Sequence, residues 1–151
     1  MSDAMIGFGT RFFMAATAGA TPLTKLAEVT SVGFPNEQVA EVEVTHYESP
    51  NRTREFIPGL NDAGEITIEL NWVPGSDTDA LIQVAKSDGK VRTMRIVTPA
   101  DDDAQMYTFP GFVRGYERTA PMDDKMTATV TIRVAGAVVQ AAATADPKVV
   151  A

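Results

Sequence analysis

The chain of 151 residues contains no cysteine and a single histidine. The first absence excludes disulfides, thiolate metal sites and a cysteine nucleophile. The second excludes histidine-cluster metal chemistry and would make any Ser-His-Asp triad depend on His46 alone. The Gly-x-Ser-x-Gly elbow of serine hydrolases is also missing. One Trp and three Tyr are few for stacking sugars. A carboxylate pair acting on a glycoside is therefore the enzymatic reading that survives, and only as an alternative. Basic residues are outnumbered, 13 Lys and Arg against 20 Asp and Glu, for a formal charge of −7. A surface meant to wrap nucleic acid would need the opposite balance. An acidic surface suits a protein past which DNA slides, and it equally suits plain solubility. No hydrophobic run is long enough to cross a bilayer. The most apolar stretch, MIGFGTRFFMAATAGA near the start, is interrupted by Arg11 and reads as a strand and not a signal peptide, which leaves synthesis in the cytoplasm as the expectation.

What is present is clearest over residues 65–87, EITIELNWVPGSDTDALIQVAKS. Ile66, Ile68, Leu70 and Trp72 alternate with Glu65, Thr67, Glu69 and Asn71, the period of a strand with one wet face. Pro74-Gly75 ends it, because Pro has no donor for a ladder and Gly tolerates turn geometry. Ser76 followed three residues later by Asp79 resembles a capping box, Leu81, Val84 and Ala85 give the next segment an apolar stripe, and Gly89 closes it. A helix is predicted over 77–87.

Further strands are expected at 11–16, 26–33, 39–45, 91–97, 107–113 and 127–135, set apart by Gly, Pro and Asp. Met94, Ile96, Phe109, Val113, Val130, Ile132 and Val134 join Ile66 to Trp72 as expected core. Many strands and one short helix describe a mainly β fold, a two-sheet sandwich or barrel with the helix on its flank. One domain is expected over 1–136, followed by a flexible tail over 137–151, which is rich in small residues and lacks alternation. Residues 46–63 show no clear periodicity and are long for a loop in a compact domain. They mix charge with apolar anchors, as an interface or an active-site lid would. The acidic runs at 101–103 and 123–124 lack the spacing of a calcium loop, and Gly7-Phe8-Gly9 lacks the third glycine of a phosphate cradle.

The order strand, W-x-P-G turn, short helix resembles the major tail tube protein family of long-tailed, non-contractile bacteriophages. YTFPGFVRGYERTAP at 107–121 is similar to that family's F-x-G-aromatic-V strand and bend, and KMTATVTIRVAG at 125–136 to its closing strand. The turn ATAGATP and LAEVTSVGFP at 26–35 are similar to its opening hairpin, and THYESPNRTREFIPGLNDAGE to its long inter-strand loop. The likeness spans 7–136. It implies a structural virion protein of the tail, without catalysis, cofactor, metal or membrane contact. Its subunits would form stacked, six-membered rings, their inner strands joined into one larger barrel, as a conduit for genome delivery. The partners implied are further copies of the chain, the tape measure, terminator and distal tail proteins, and DNA as transient, non-adhering cargo. The loop carrying His46, Tyr47, Glu48, Arg52, Arg54, Glu55, Phe56, Ile57 and Leu60 would then be the contact with a neighbouring subunit or ring. Glu41, Glu43, Glu65 and Glu69, on the wet faces of the flanking strands, are candidates for the lumen wall. The tube of a contractile tail or secretion system, and a monomeric β-sandwich binding module, are the alternatives.

Overall fold

The computed structural model describes residues 9–16, 23–98 and 104–142. Within them the order is β1 (Arg11–Met14), β2 (Thr24–Lys25), β3 (Val29–Val32), β4 (Gln38–Glu43), a single 3-10 turn (Pro50–Arg52), β5 (Phe56–Asp62), β6 (Glu65–Asn71), α1 (Asp77–Asp88), β7 (Arg92–Val97), β8 (Gln105–Thr119), β9 (Thr127–Val134) and β10 (Val139–Ala142). Eight strands share one sheet in the order β2-β1-β7-β8-β9-β6-β3, with β10 alongside β8; β4 and β5 form a separate antiparallel pair. The two ends of the sheet path, β2 and β3, are consecutive in the chain, so the sheet curls on itself without closing.

Alternation builds the core. Ile66, Ile68 and Leu70 of β6 point to the same side as their register partners Ile132, Val130 and Ala128 of β9, and all six are buried, as is Val134 beyond them. Met94 and Ile96 of β7, Phe109 and Val113 of β8, and Phe12 and Met14 of β1 complete this inner face, onto which α1 sets Ile82 and Ala85. A fully buried Ile is worth about 1.5–3 kcal/mol over an exposed one, so this layer supplies most of the fold's stability. On the opposite face of the β1–β7 region, Phe13, Ala15, Leu23 and Val97 make a second, smaller cluster with Met106. That end of the sheet is buried on both faces, whereas β6 and β9 are buried on one.

The helix forms where its signals lie. Ser76 Oγ accepts from the Asp79 amide at 3.2 Å, and Gly89, at φ +62°, stops the last turn. Asp79 does not turn back to the Ser76 amide. Its carboxylate accepts from the amide of Gly75 (3.1 Å), the Tyr116 hydroxyl (2.8 Å), Trp72 Nε1 (3.2 Å) and Gln83 Nε2 (3.0 Å), tying the turn, the helix, β8 and the end of β6 into one hub. Burial pushes its pKa up, but these hydrogen bonds prevail and hold the carboxyl below the ordinary range; burial and the Asp79 charge together raise Tyr116. Trp72 is half-buried against the core and carries the Arg118 guanidinium 5.8 Å from its ring centre.

Three expectations are corrected. Residues 46–63 are not one irregular loop, because Phe56–Asp62 pairs with β4 as β5. The strand was concealed by Pro58 and by a bulge at Gly59, where an added Cβ would sit 3.1 Å from both the Ala40 carbonyl oxygen and Val42 Cγ2. Within the expected tail, Val139–Ala142 pairs with β8 as β10, extending along β8 the side already occupied by β9. Small residues suffice there because the ladder, and not side-chain burial, holds the strand. β8 itself runs through Gly115 to Thr119, beyond the expected end at 113, across a bulge between Val113 and Gly115. The acidic run at 101–103 lies outside the described residues.

Candidate assembly interface

Among the described residues, two surfaces lack an internal partner. The first is the β4–β5 hairpin with its tip, residues 38–62. Val42 lies opposite Ile57, Glu43 opposite Phe56 and Glu41 opposite Pro58, so apolar side chains occur on both faces. None is buried: Val39, Val42, Val44, Phe56 and Ile57 are all exposed, Leu60 is 87% exposed and Tyr47 fully so. A two-stranded ribbon with nothing packed on it is marginal in water. The tip is organised all the same. Ser49 Oγ donates to Glu55 Oε2 at 2.6 Å and accepts from the His46 amide at 2.9 Å, while His46 Nδ1 lies 3.4 Å from the same Glu55 oxygen. Asn51 and Arg52 hold positive φ angles in the turn between them. Glu48, Arg52 and Arg54 have no ion-pair partner among the described residues. The nine residues assigned to the interface from sequence are thus all on this hairpin, the first six at its tip and Phe56, Ile57 and Leu60 on a strand.

The hairpin leaves the sheet at the Glu65 end of β6. Arg133 Nη2 donates to Asp62 Oδ1 at 2.9 Å, and the Gly64 amide donates to the same oxygen at 2.9 Å; the amide first and the guanidinium second hold the Asp62 carboxyl low. A groove of about 720 Å³ runs beside this root, lined by Leu60, Phe112, Arg133 and the chain from Val134 to Ala137.

The second surface is the outer face of β6, β9 and the far half of β8. Glu65 faces Arg133, Thr67 faces Thr131 and Glu69 faces Thr129, with Gly115 and Glu117 of β8 flanking Thr131 and Thr129. All are exposed or half-exposed. Glu65 pairs with Arg114 across the intervening strand. Of the four glutamates considered for a lumen, Glu65 and Glu69 share this face, while Glu41 and Glu43 are on the hairpin; the fold does not gather them. Arg114 and Glu117 belong to the same face and were missed in the sequence, because β8 was expected to end before them.

Among the described residues no three or more His, Asp or Glu side chains gather as metal ligands would, and no helix is long and apolar enough to cross a membrane. The described residues thus present an uncovered hairpin and a wet sheet face on a mainly β fold. The chain belongs to the lambda phage tail tube protein family, whose sequence model matches residues 11–141. It is a structural tube subunit of a tail, and its place is the virion. No curated protein matches the chain in sequence. Solved structures of the same fold include the tail of an empty gene transfer agent particle, refined with C6 symmetry. That likeness is at 18% identity and TM-score 0.75, over 92% of this chain and 100% of that one. The SPP1 tail tube matches at 14% identity and TM-score 0.70, over 95% of this chain and 82% of that one. The sheath/tube terminator of an extracellular contractile injection system matches at 13% identity and TM-score 0.68, over 93% and 99%.

Proposed function

We propose that the chain closes into six-membered rings that stack into a genome conduit, acts without catalysis, and uses the β4–β5 hairpin as its contact with neighbouring copies. The observation that carries this reading is the hairpin itself, a ribbon with apolar side chains on both faces and no cover among the described residues. Ring closure has a backbone basis as well. In the portion β8-β9-β6-β3, β3 is an outer edge, and β7 covers β8 only between Met106 and Gly111. The far half of β8 therefore offers a second edge, and joining it to β3 of the next copy would leave neither edge of this four-stranded portion unpaired. Six-fold closure is supported by the symmetry of the gene transfer agent tail. The tube domain extends through β10, and its partners beyond further copies of the chain are other tail components such as the tape measure, terminator and distal tail proteins.

The outer face of β6, β9 and β8 would then be the lumen wall. It carries Glu65, Glu69 and Glu117 against Arg114 and Arg133, interleaved with Thr67, Thr129 and Thr131. A hydroxyl-rich surface with its cations paired to carboxylates gives phosphates little to hold, which suits DNA as passing cargo. Electron microscopy of concentrated protein tests the assembly: rings or filaments are expected, and a persistently monomeric protein would favour the β-sandwich binding module instead. Replacing Glu65 and Glu69 with Lys tests the lumen, since tubes should still form but retain DNA at low salt.

A further inference from the structure

The hairpin and the β8–β9 turn are at opposite ends of the same strands. The hairpin joins β6 at Glu65, beside Arg133 of β9, whereas the turn over residues 120–126 follows the pair Thr119–Thr127 at the other end, beside Asn71. Seven residues of β6 separate them, about 20 Å at the rise of a strand. A subunit placed above or below another along the strand direction would thus bring the hairpin of one toward the turn of the other.

The two surfaces are complementary. The turn carries Met122, 95% exposed, with Met126 also exposed and Val73 exposed in the next turn at the same end. Its charges are Asp123, Asp124 and Lys125; neither aspartate has an ion-pair partner among the described residues. The hairpin tip offers the guanidiniums of Arg52 and Arg54, without ion-pair partners among the described residues, against the single free carboxylate of Glu48, while Glu55 is already engaged by Ser49 and His46. Tyr47 supplies an exposed ring beside them. An unbranched thioether adapts to an aromatic face more readily than a branched side chain does, and guanidinium forks match carboxylates geometrically.

We infer that the hairpin tip of one copy docks on the β8–β9 turn of a copy in the adjacent ring, Arg52 and Arg54 meeting Asp123 and Asp124 while Tyr47 covers Met122. This rests on the tube reading and names the receiving surface within it. Complementary charge at the two poles also sets polarity, because tip on tip or turn on turn would place like charges together.

Charge reversal tests the docking in the full-length chain. Arg52→Glu with Arg54→Glu, and separately Asp123→Lys with Asp124→Lys, should each leave circular dichroism and the denaturation midpoint unchanged, because all four side chains are exposed. Each should lose filaments seen by electron microscopy. The chain carrying all four substitutions should regain them. As an independent readout, Tyr47→Cys with Met122→Cys in this cysteine-free sequence should give an oxidant-dependent ladder of covalent multimers from filaments and none from dilute protein. If wild-type filaments form and either reversed pair forms them equally well, or the four-fold variant fails to regain them, the docking is wrong and the tube reading stands. If wild-type protein forms neither rings nor filaments, both fall.

Discussion

β6 and β4 are alternating strands of similar length, in one chain, with opposite fates. In β6 every second residue is buried, and Ile66, Ile68 and Leu70 pack into the core. In β4 Ala40 and Val42 alternate with Glu41 and Glu43, Val39 alone breaking the period, and none is buried. Local pattern is therefore not what decides burial; the presence of a facing layer is. β6 has α1 and the curled sheet opposite it, and β4 has only β5 beside it. The hairpin's apolar residues acquire meaning when the missing layer is another chain.

The contrast can be broken first at the core. Ile132→Ala, at a site with no exposure, should cost about 3 kcal/mol or more through the cavity it leaves, read as a lowered midpoint in denaturant. A loss similar to that of a hairpin variant would mean that the two regions are not energetically distinct. Next comes the hub. Asp79→Asn should cost about 1–3 kcal/mol at neutral pH by weakening charge-assisted hydrogen bonds. The folded-state pKa of Asp79 is depressed, so its stabilisation is complete above the unfolded value of about 3.9 and is lost as the pH falls through the lower folded value. Wild-type protein should thus lose stability between pH 5 and the acid limit, a range conveniently sampled near pH ~3, more steeply than Asp79→Asn. Parallel curves would show that the hub is not what titrates.

Smaller effects sharpen the comparison. Ser76→Ala removes the side-chain cap of α1 and should lower stability by about 1 kcal/mol. Smallest of all, Val42→Ala and Ile57→Ala should change the stability of the dilute protein by less than about 0.5 kcal/mol, while a tube assay registers a marked defect. A large stability loss in dilute solution would show that the hairpin is already covered within its own subunit.

Much of this was legible in the sequence where one physical signal dominated. β6, α1 and β9 followed from uninterrupted alternation, a cap and a stop, and they appeared within a residue of their expected limits. The expected core residues of β6 to β9 are buried for the same reason, apart from Trp72, which is half-buried because its indole N–H serves the Asp79 carboxylate. Phe12 and Met14 of β1 and Ile82 of α1 were not foreseen in the core, and Val84, expected on the helix's apolar stripe, is exposed. Illegibility began where the backbone departs from regularity. Pro58 and the Gly59 bulge broke the period of β5, and the bulge beside Arg114 cut β8 short in the reading, hiding the ion pair of Arg114 with Glu65. β10 had no pattern to read, since nothing on it is buried. The nine residues assigned to a contact do share one hairpin, although the strand pairing among them could not be foreseen. The receiving turn was passed over because its acids were weighed only as metal ligands.

The curling of the sheet has a bearing on time as well as on shape. Phe12 sits opposite Ile96, and the strands between them must all be synthesised before that pair can form. Pairings so distant along the chain close slowly, whereas a hairpin such as β4–β5 zips locally within microseconds. The element proposed to meet a neighbouring copy can therefore form, if only fleetingly, before the body that should present it, with its greasy faces bare while the ribosome is still at work. Fast completion of the body, or low concentration of unfinished chains, becomes a condition for orderly tubes and against clumping.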